Sequence, residues 1–500
     1  MSPNISRRTA LLAGASMMTA GALAGCERPG GTPTDTGAGA EAFPTTGADV
    51  PSESATVQWV DTGAISEAFV PSVTDRFTQT FPNVAFNYQS LGGDDMAQVL
   101  QLAFQNDDVP DIFRLLPNVV APSEAVSAGL VQPLDDIVPD FETWRSAFPD
   151  GVFTEGNNVF NGKTYSFPVL GNYTLGLLLN RGIVQEAGYD FEETPPTFET
   201  FRQAAREITQ QGDGRYWALT HGGASASRWR VLVQLLGQLA GAPGGDFDYR
   251  TGTYNYNSDA YLEAVELLLA LREDGSFDPG VASTPPAQAV ERVPTGQAAM
   301  IINETGVLPK WFDTFPDFDF GVANLPAPAD HGYVAAPSER YYWWASASSQ
   351  NPEVIGELFS YLGSVEGQSD WQRVGGGALP LAFPEVNQVE GLDPRVRAAY
   401  DYFDEVVRRL PEPPARNPET AQVLAGLRPL SPDFGTTIQG IYTGQLEDPA
   451  AAMRNLQDRA EAELDRAVDA AVAEGANVSR DDWVFADWDP SVNYVYEDGE

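Results

Sequence analysis

Hydrophobic and polar positions change their spacing in a regular order once the chain reaches residue 56. Residues 56–61 (TVQWVD) predict a short strand, and residues 65–81 carry an apolar side chain at four-residue steps, which predicts one face of a helix. The same succession follows in a strand over 84–88, a helix over 94–104 and a buried strand over 111–113. This β-α-β-α-β order favours a parallel-rich sheet with helices on both faces and a ligand crevice at the carboxyl ends of its strands.

A second group of elements begins near Lys163 and predicts a second α/β lobe followed by a helical C-terminal part. Strand patterns cover residues 165–168, 174–180, 216–220, 298–303, 318–323 and 341–345. Helical patterns cover residues 197–210, 228–240, 259–273, 352–362, 394–410 and 449–473. At the last helix, Asp448 and Pro449 form a start signal, and one apolar stripe indicates a face that packs in the core.

Composition and charge narrow the classes of function. The 500 residues are enough for two or three domains, and 43% apolar with 20% charged residues is typical of a packed globular protein. Acidic residues number 70 against 29 basic ones, and the net charge of −41 repels phosphate backbones, so we expect no nucleic-acid partner. A single cysteine, Cys26, and two histidines, His221 and His331, argue against a disulfide framework and zinc sites. We therefore expect no metal and no cofactor.

The start of the chain has the pattern of an export signal. Arg7 and Arg8 precede an apolar run that is too short to span a bilayer, and Leu-Ala-Gly before Cys26 resembles a lipobox. The paired arginines resemble the twin-arginine export signal. We predict that residues 1–25 are a removed signal peptide, that Cys26 is acylated, and that residues 26–54 are a flexible tether. The protein is then held by lipid on the extracytoplasmic face of the cell membrane, without spanning it.

No motif of the sequence supports catalysis. The chain has no Gly-x-Ser-x-Gly elbow, no Ser-x-x-Lys set and no Gly-rich phosphate loop ending in Lys-Ser or Lys-Thr, so we predict that it is not an enzyme. The glycines at 375–377 indicate a tight turn or, secondarily, a close approach of backbone to a ligand. The acidic pair Asp94 and Asp95 indicates a solvated surface, although Asp94 also suits a helix N-cap. His221 is expected in a loop after a strand.

Aromatic side chains stand beside small polar residues at several predicted strand ends. They are Trp59, Tyr165, Tyr173, Trp229, Trp311 and the run 341–344. Most large aromatic side chains belong to a protein core. At strand ends a minority can form flat platforms for the apolar face of a sugar, while Asp, Asn, Arg and Thr bond its hydroxyl groups. Composition alone leaves both interpretations open.

Five motifs, in the same order along the chain, resemble those of one family. They are residues 81–88 (FPNVAFNY), 103–113 with Pro-Asp-Ile at 110–112, 161–168 (NGKTYSFP) leading to Leu-Asn-Arg at 179–181, 295–301 (TGQAAMI) and 375–380. On these residues the chain resembles the extracellular solute-binding proteins of ABC importers, the family that includes maltose-binding protein. The resemblance covers nearly all of residues 56–473.

The resemblance implies a fold, a function and partners. The expected fold is α/β, of the two-lobe periplasmic-binding-protein type (class II), with crossing hinge strands and hinge closure around a solute. We expect residues 55–166 and 325–372 in the N-terminal lobe, residues 167–324 and 373–475 in the C-terminal lobe, and an acidic, aromatic tail over 476–500. The implied function is a monomeric component of an ABC importer that captures an extracellular sugar or oligosaccharide and delivers it to a permease.

The resemblance also implies ligand contacts at strand ends and helix starts. By position in the family, these are Asp61, Thr62, Arg114, Asn118, Asn172, Tyr173 and Trp229. We also expect ligand contacts from a second set of residues, which are Trp59, Gly93, Asp94, Tyr165, Arg228, Glu304, Thr305, Tyr342, Trp343 and Gly376. Directed hydrogen bonds and stacking are available at such positions.

Two departures argue against the sugar specificity of maltose-binding protein. Where that protein has a sugar-stacking tryptophan, this chain has Glu304, Thr305 and Gly306, and acidic groups early in the second lobe become Ala224 and Ala226. A different sugar is therefore expected. On sequence alone two other classes stay open: a secreted glycoside hydrolase, which needs two carboxylates in one cleft, and an acidic surface scaffold or adhesin.

Overall fold

The structure, a computed structural model, describes residues 42–495 apart from 63, 68, 92, 107, 117–118 and 337–341, and leaves out the side chains of residues 62, 64, 65, 93, 94 and 336. The strands of this part of the chain are β1 (Ala55–Thr62), β2 (Val84–Leu91), β3 (Ile112–Arg114), β4 (Val159–Phe160), β5 (Lys163–Thr164), β6 (Gly176–Asn180), β7 (Trp217–Leu219), β8 (Phe247–Asp248), β9 (Thr253–Tyr254), β10 (Ala298–Asn303), β11 (Phe320–Ala323), β12 (Val334–Ala336), β13 (Trp343–Ala345) and β14 (Val407–Arg409).

The α-helices of the same residues alternate with the strands and then dominate the C-terminal third. They are α1 (Ala64–Glu67), α2 (Phe69–Thr80), α3 (Gly93–Gln105), α4 (Pro122–Ser127), α5 (Phe141–Ser146), α6 (Arg181–Glu186), α7 (Phe198–Gly212), α8 (Ala226–Leu239), α9 (Asp259–Glu273), α10 (Pro286–Arg292), α11 (Leu308–Thr314), α12 (Pro352–Leu362), α13 (Val365–Gly375), α14 (Pro394–Val406), α15 (Pro413–Arg416), α16 (Thr420–Gly426), α17 (Phe434–Thr443) and α18 (Pro449–Ala473). Within the described residues, none of these helices combines the length and the hydrophobicity that crossing a membrane requires.

The first lobe is built on a four-stranded sheet in the order β13-β3-β1-β2. Strand β1 runs parallel to β2 along its whole length and parallel to β3, whereas β13 is antiparallel to β3. Helix α2 buries Phe69, Val73 and Phe77 in the core of this lobe, as the four-residue spacing requires. The predicted β-α-β-α-β order is confirmed, with the first predicted helix present as α1 followed by α2.

The second lobe is built on a four-stranded sheet in the order β11-β6-β10-β7. Strand β10 is parallel to β7 and antiparallel to β6, and β11 is also antiparallel to β6. Helices α7, α8, α9, α17 and the start of α18 contribute buried apolar side chains to its core. The two-lobe α/β fold expected from the sequence is confirmed.

Two extended segments run side by side between the lobes. The N–H of Gly171 donates to the carbonyl oxygen of Pro380 (2.9 Å), and the N–H of Ala382 donates to that of Val169 (2.8 Å). An antiparallel bridge between Leu170 and Leu381 ties two segments that both lead from the first lobe to the second, one toward β6 and one from α13 toward α14. These segments therefore form part of the connection between the lobes.

Two predictions of secondary structure are wrong in detail. The strand predicted over 165–168 is reduced to a bridge at Ser166, and the proline that ends this range has no N–H to donate to a ladder. The helix predicted over 394–410 ends at Val406, and the next residues form β14, parallel to β12. Consecutive β-branched residues, Val406 and Val407, favour extended backbone at that point.

The segment before β1 packs on the first lobe. Phe43 is 2% exposed, and its ring meets two core rings edge-on at centroid distances of 4.7 and 4.8 Å. The buried carboxylate of Glu357 accepts hydrogen bonds from the N–H of Ala48 (2.8 Å) and the hydroxyl of Thr46 (2.9 Å). The prediction of a flexible tether over 26–54 is therefore wrong for this part of it, because ring burial and a buried acceptor hold the chain in place.

Aromatic residues of the predicted acidic tail are also buried. Trp483, Phe485 and Trp488 are 3%, 0% and 4% exposed. The N–H of Phe485 donates to the carbonyl oxygen of Tyr249 (2.7 Å), and the rings of Phe485 and Trp488 both meet the Tyr249 ring edge-on. The described part of the tail thus belongs to the packing of the protein.

Candidate functional site

The first edge of the candidate site lies at the carboxyl ends of β1 and β3. Because these strands are parallel, their last residues, Thr62 and Arg114, stand at the same edge of the sheet. The Arg114 guanidinium lies over the ring of Tyr342, 4.2 Å from its centroid, and Tyr342 itself is fully buried. A buried aromatic ring therefore positions a half-buried cation at this edge.

Four predicted ligand contacts of the first lobe are core residues. Trp59, Asp61, Tyr342 and Trp343 have no exposed surface. The indole N–H of Trp343 donates to Oδ2 of Asp61 (2.9 Å), and the rings of Trp59 and Trp343 meet edge-on at 5.0 Å. The structure corrects the prediction that these side chains contact a ligand, since they bury one another and join β1 to β13.

The second edge lies at the carboxyl ends of β7 and β10, which are parallel. Arg228, in the first turn of α8, donates from Nη1 to Oδ1 of Asn303 (3.3 Å) and to Oε1 of Glu304 (3.2 Å). Asn303 is buried at the end of β10, whereas the side chains of Arg228 and Glu304 keep 28% and 44% of their surface exposed. This edge therefore presents a guanidinium and a carboxylate side by side.

Two predicted contacts of the second lobe are buried. Trp229 has no exposed surface, and its indole N–H donates to the carbonyl oxygen of Gly223 (2.8 Å). Thr305 also has no exposed surface, and its hydroxyl donates to the carbonyl oxygen of Ala378 (2.9 Å). The structure places both side chains in the core, which corrects the prediction of ligand contact for them.

His221 follows β7, as predicted, but it is buried. The centroid of its ring lies 4.6 Å from the centroid of the Trp229 ring. Burial lowers the pKa of His221 to about 3, and the positive charge of Arg228 adds to this effect, so the ring is neutral at physiological pH. A base with so low a pKa is poorly suited to proton transfer near neutral pH.

Asn172 and Tyr173 lie on the outgoing connection between the lobes. Tyr173 is half-buried and packs against apolar clusters of both lobes. Asn172 lines a cavity of about 190 Å³ together with Asp404 and Arg409. Burial raises the pKa of Asp404, the nearby Asp401 carboxylate adds to the increase, and a hydrogen bond with Asn172 opposes it. Both predicted residues are therefore placed where the lobes meet.

Tyr165 and Gly376 have separate surroundings. Tyr165 is half-buried against Phe160 at a centroid distance of 6.0 Å, and burial raises the pKa of its hydroxyl. Gly376 ends α13 with a φ of 62°, a left-handed conformation that favours glycine. It also lines a cavity of about 370 Å³ beside Phe312. The predicted tight turn is confirmed, and ligand contact at Gly376 stays a prediction.

Several predicted site residues lie outside the described part of the chain. Cys26 and Asn118 are not described, and for Thr62, Gly93 and Asp94 only the backbone is. Helix α3 begins at Gly93, so Asp94 lies inside the helix and does not have the alternative role of its N-cap.

Sequence analysis missed Asn303. Its buried amide oxygen accepts from Arg228 and so fixes the position of the guanidinium beside Glu304. The signal was present, because Asn303 is the polar residue that ends the apolar run of β10. The same rule that selected other strand ends selects it.

The arrangement at the two edges suits reversible binding of a polar solute. Each lobe contributes a half-buried guanidinium, Arg114 and Arg228, and the second lobe adds a carboxylate acceptor. Across the described residues, no group of three or more His, Cys, Asp or Glu side chains is arranged to hold a metal ion. Fixed donors and acceptors of this kind orient a ligand by hydrogen bonds.

The chain belongs to the family of bacterial extracellular solute-binding proteins, whose family model matches residues 61–369. It is also 21% identical to a protein of Brucella abortus that is named as a binding protein, over 406 residues that make up 79% of this chain and 90% of that protein. The resemblance drawn from the five motifs is therefore confirmed, and with it the class of extracellular binding protein.

Solved structures share the fold. The GacH receptor of Streptomyces glaucescens, determined unliganded and with acarbose, is 20% identical and has a TM-score of 0.61, covering 82% of this chain and 99% of its own. The MalE domain of Bdellovibrio bacteriovorus bound to maltotriose is 20% identical and has a TM-score of 0.60, covering 82% of this chain and 100% of its own. These likenesses support the two-lobe architecture independently of the family model.

Proposed function

We propose that this chain is the lipid-anchored solute-binding component of a sugar ABC importer, which captures an extracellular sugar or oligosaccharide between its lobes and delivers it unchanged to a permease. The observation that carries the proposal is the pair of Arg228 and Glu304, held by Asn303 at the carboxyl edge of the second sheet. Sugar hydroxyls both donate and accept hydrogen bonds, and this pair offers both functions within 3.2 Å.

The proposed site draws on both lobes and on their connection. Arg114 supplies a positioned donor on the first lobe, and Arg228 with Glu304 supplies a donor and an acceptor on the second. Asn172 and Tyr173 belong to the connection between the lobes, and half-buried Tyr173 is proposed to offer an aromatic ring for an apolar sugar face. The fully buried tryptophans are not part of this site.

The named ligands of the similar structures support a sugar. The GacH receptor was solved with acarbose, and the MalE domain was solved with maltotriose. Both are hydroxyl-rich, and both structures share the lobe architecture described above. The two departures from maltose-binding protein at Glu304 and at Ala224 and Ala226 favour a sugar other than a maltodextrin.

The proposed mechanism is closure of the lobes around the solute. Arg114 and Arg228 belong to different lobes, so a solute that contacts both stabilises the arrangement in which the lobes are close. The bridged segments at Gly171 and Pro380 connect the lobes, and we propose that they absorb this rotation. Only contacts that improve on closure shift the equilibrium, and the closed arrangement is the form proposed to dock on the permease.

Isothermal titration calorimetry with neutral mono- and oligosaccharides, peptides and polyamines tests this function. Arg228→Ala is expected to weaken binding of the preferred sugar at least about tenfold, because a hydrogen bond to a charged group contributes about 1.5–3 kcal/mol. Arg250→Ala is the matched control, since Arg250 pairs with Asp248 at 2.9 Å elsewhere on the second lobe. The control is expected to leave the Kd unchanged.

Two results contradict the proposal. One is a protein that binds no sugar of the panel, and the other is chemical conversion of the bound sugar, detected by chromatography of the recovered solute. If Arg228→Ala and Arg250→Ala weaken sugar binding equally, Arg228 is not part of the binding site. The sugar then binds elsewhere on the protein.

The proposed anchor is tested separately. Cys26→Ala removes the only thiol of the chain, so we expect the exported protein to move from the membrane fraction to the medium or periplasm. Immunoblotting of fractionated cells measures the change. A variant that stays with the membrane shows that something other than lipid on Cys26 holds it.

A further inference from the structure

The pair of Arg228 and Glu304 carries information about the charge of the solute. The guanidinium contacts both partners through one nitrogen, Nη1, which reaches Oδ1 of Asn303 at 3.3 Å and Oε1 of Glu304 at 3.2 Å. Asn303 is buried, with 4% of its surface exposed, and it holds Nη1 from the protein side. The side chains of Arg228 and Glu304 remain partly exposed to solvent. A solute that reaches Nη1 therefore also meets the carboxylate.

An anionic solute fits this edge poorly. A carboxylate or phosphate is best bound by a guanidinium whose fork is matched by two acceptor oxygens of the ligand. Here Glu304 already supplies an anionic oxygen to Arg228, and a second anion beside it is repelled by a like charge at short range. The chain as a whole, with a net charge of −41, adds a repulsive field at longer range.

A neutral hydroxyl group fits the same edge well. It can accept from the guanidinium and donate to the carboxylate, so that neither charged group loses a partner when water leaves. Two adjacent hydroxyls can divide these roles between them. The ion pair thus serves as a paired donor and acceptor and not as a centre of positive charge.

We infer that the solute carries no charge at the group that meets Arg228 and Glu304, and that Glu304 is the residue that rejects carboxylate-bearing sugars. The inference rests on the proposed function and deepens it, because it divides sugars into a neutral class that binds and an acidic class that does not. Specificity of this kind comes from a repulsive element as well as from an attractive one.

The test compares neutral sugars with counterparts that differ by one carboxylate. The probes are glucose with glucuronate and galactose with galacturonate, which keep the same ring, each titrated by calorimetry at low and at moderate salt. In every pair that binds, we expect the neutral member to bind at least about tenfold more tightly, as expected for one unfavourable contact between charged groups. We expect the Kd of the neutral member to change little with salt.

Glu304→Gln removes the negative charge and keeps a hydrogen-bonding side chain of similar size. We expect this variant to lose most of the discrimination, with weaker binding of the neutral sugar and stronger binding of its acidic counterpart. Glu291→Gln is the matched control, because Glu291 pairs with Lys310 at 2.9 Å on an exposed surface and its loss changes the net charge equally. The control is expected to keep the wild-type ratio.

The possible outcomes separate this inference from the proposed function. Acidic sugars that bind as tightly as neutral ones, or a ratio that Glu304→Gln leaves unchanged, overturn the inference while sugar binding itself stands. A ratio that changes equally in both variants shows that net charge and not Glu304 sets the preference, which also overturns it. Failure of every neutral and acidic sugar to bind contradicts the proposed function.

Discussion

Ending the chain after Gly475 is expected to lower the free energy of unfolding by about 5 kcal/mol, because it removes large aromatic side chains that each contribute about 1.5–3 kcal/mol by burial. Trp483, Phe485 and Trp488 are almost completely buried, and the guanidinium of Arg416 lies 3.7 Å from the Phe485 ring centroid. Urea-induced unfolding, followed by circular dichroism, measures the loss. Trp488→Ala in the full chain is expected to reproduce part of it, about 3 kcal/mol.

A shorter truncation is the control. A chain that ends after Pro490 keeps the three buried aromatics. It loses the bonds from Arg409 N–H to Asn493 Oδ1 (2.9 Å), from Arg408 to the carbonyl oxygen of Ser491 (2.7 Å) and from Tyr494 N–H to the carbonyl oxygen of Arg409 (3.2 Å), together with the contact of the Tyr494 ring with Phe485. Because the longer truncation removes these contacts and the three buried aromatics as well, we expect the shorter one to cost less. If both truncations lower the free energy of unfolding by the same amount, burial of the three aromatic side chains does not stabilise the protein.

Gly356→Ala is expected to destabilise the first lobe by about 3 kcal/mol, which is opposite in sign to the usual effect of this substitution in a helix. Gly356 lies inside α12, and an added Cβ would overlap the carbonyl oxygen of Ile137. Backbone cannot move aside as a flexible side chain can, so the helix and the loop must separate. Denaturant unfolding monitored by circular dichroism measures the change.

Gly426→Ala is the matched control for this substitution. Gly426 is the last residue of α16, and nothing lies within 4 Å of a Cβ added there. We expect a change between zero and a gain of about 1 kcal/mol, from helix propensity and reduced freedom of the unfolded chain. A Gly356→Ala protein as stable as the wild type means that α12 and the loop at Ile137 are less tightly packed than described.

Local signals in the sequence predict the bounds of an element correctly where that element has its own signals for beginning and ending. Helices α9, α12 and α18 match their predicted ranges, and in α18 the side chain of Asp448 accepts from the N–H of Ala451 as a cap (3.0 Å). Strand β10 also matches, since a continuous apolar run marks a strand buried on both faces. In these elements propensity, capping and burial all favour the same structure.

The elements that the sequence did not predict depend on distant partners. The change from helix to strand after Val406 is stabilised by pairing of β14 with β12, a segment far away in the chain. Packing of Phe43 on the first lobe depends on rings from α2 and α12, which composition alone does not reveal. A Gly- and Pro-rich segment is therefore not a tether along its whole length.

The candidate site shows the same division. The rule that ligand groups gather at strand ends led to Arg114, Arg228 and Glu304, because that rule follows from parallel topology. The same rule also led to Trp59 and Trp343, which are core residues. Whether an aromatic ring at a strand end points inward is decided by a contact such as that of Trp343 with Asp61, and sequence spacing does not contain this information.

Tryptophan emission from this protein comes mostly from rings that water does not reach. All ten tryptophans lie in the described residues, and Trp217 is the one among them that is not buried. The rings of Trp343 and Trp371 are stacked with their centroids 5.3 Å apart. Because both are buried, collisional quenchers such as iodide and acrylamide have little access to them. We therefore expect weak quenching of the tryptophan fluorescence. A spectral change on addition of a sugar would then report a rearrangement of the cores of the lobes and not an indole in contact with the sugar.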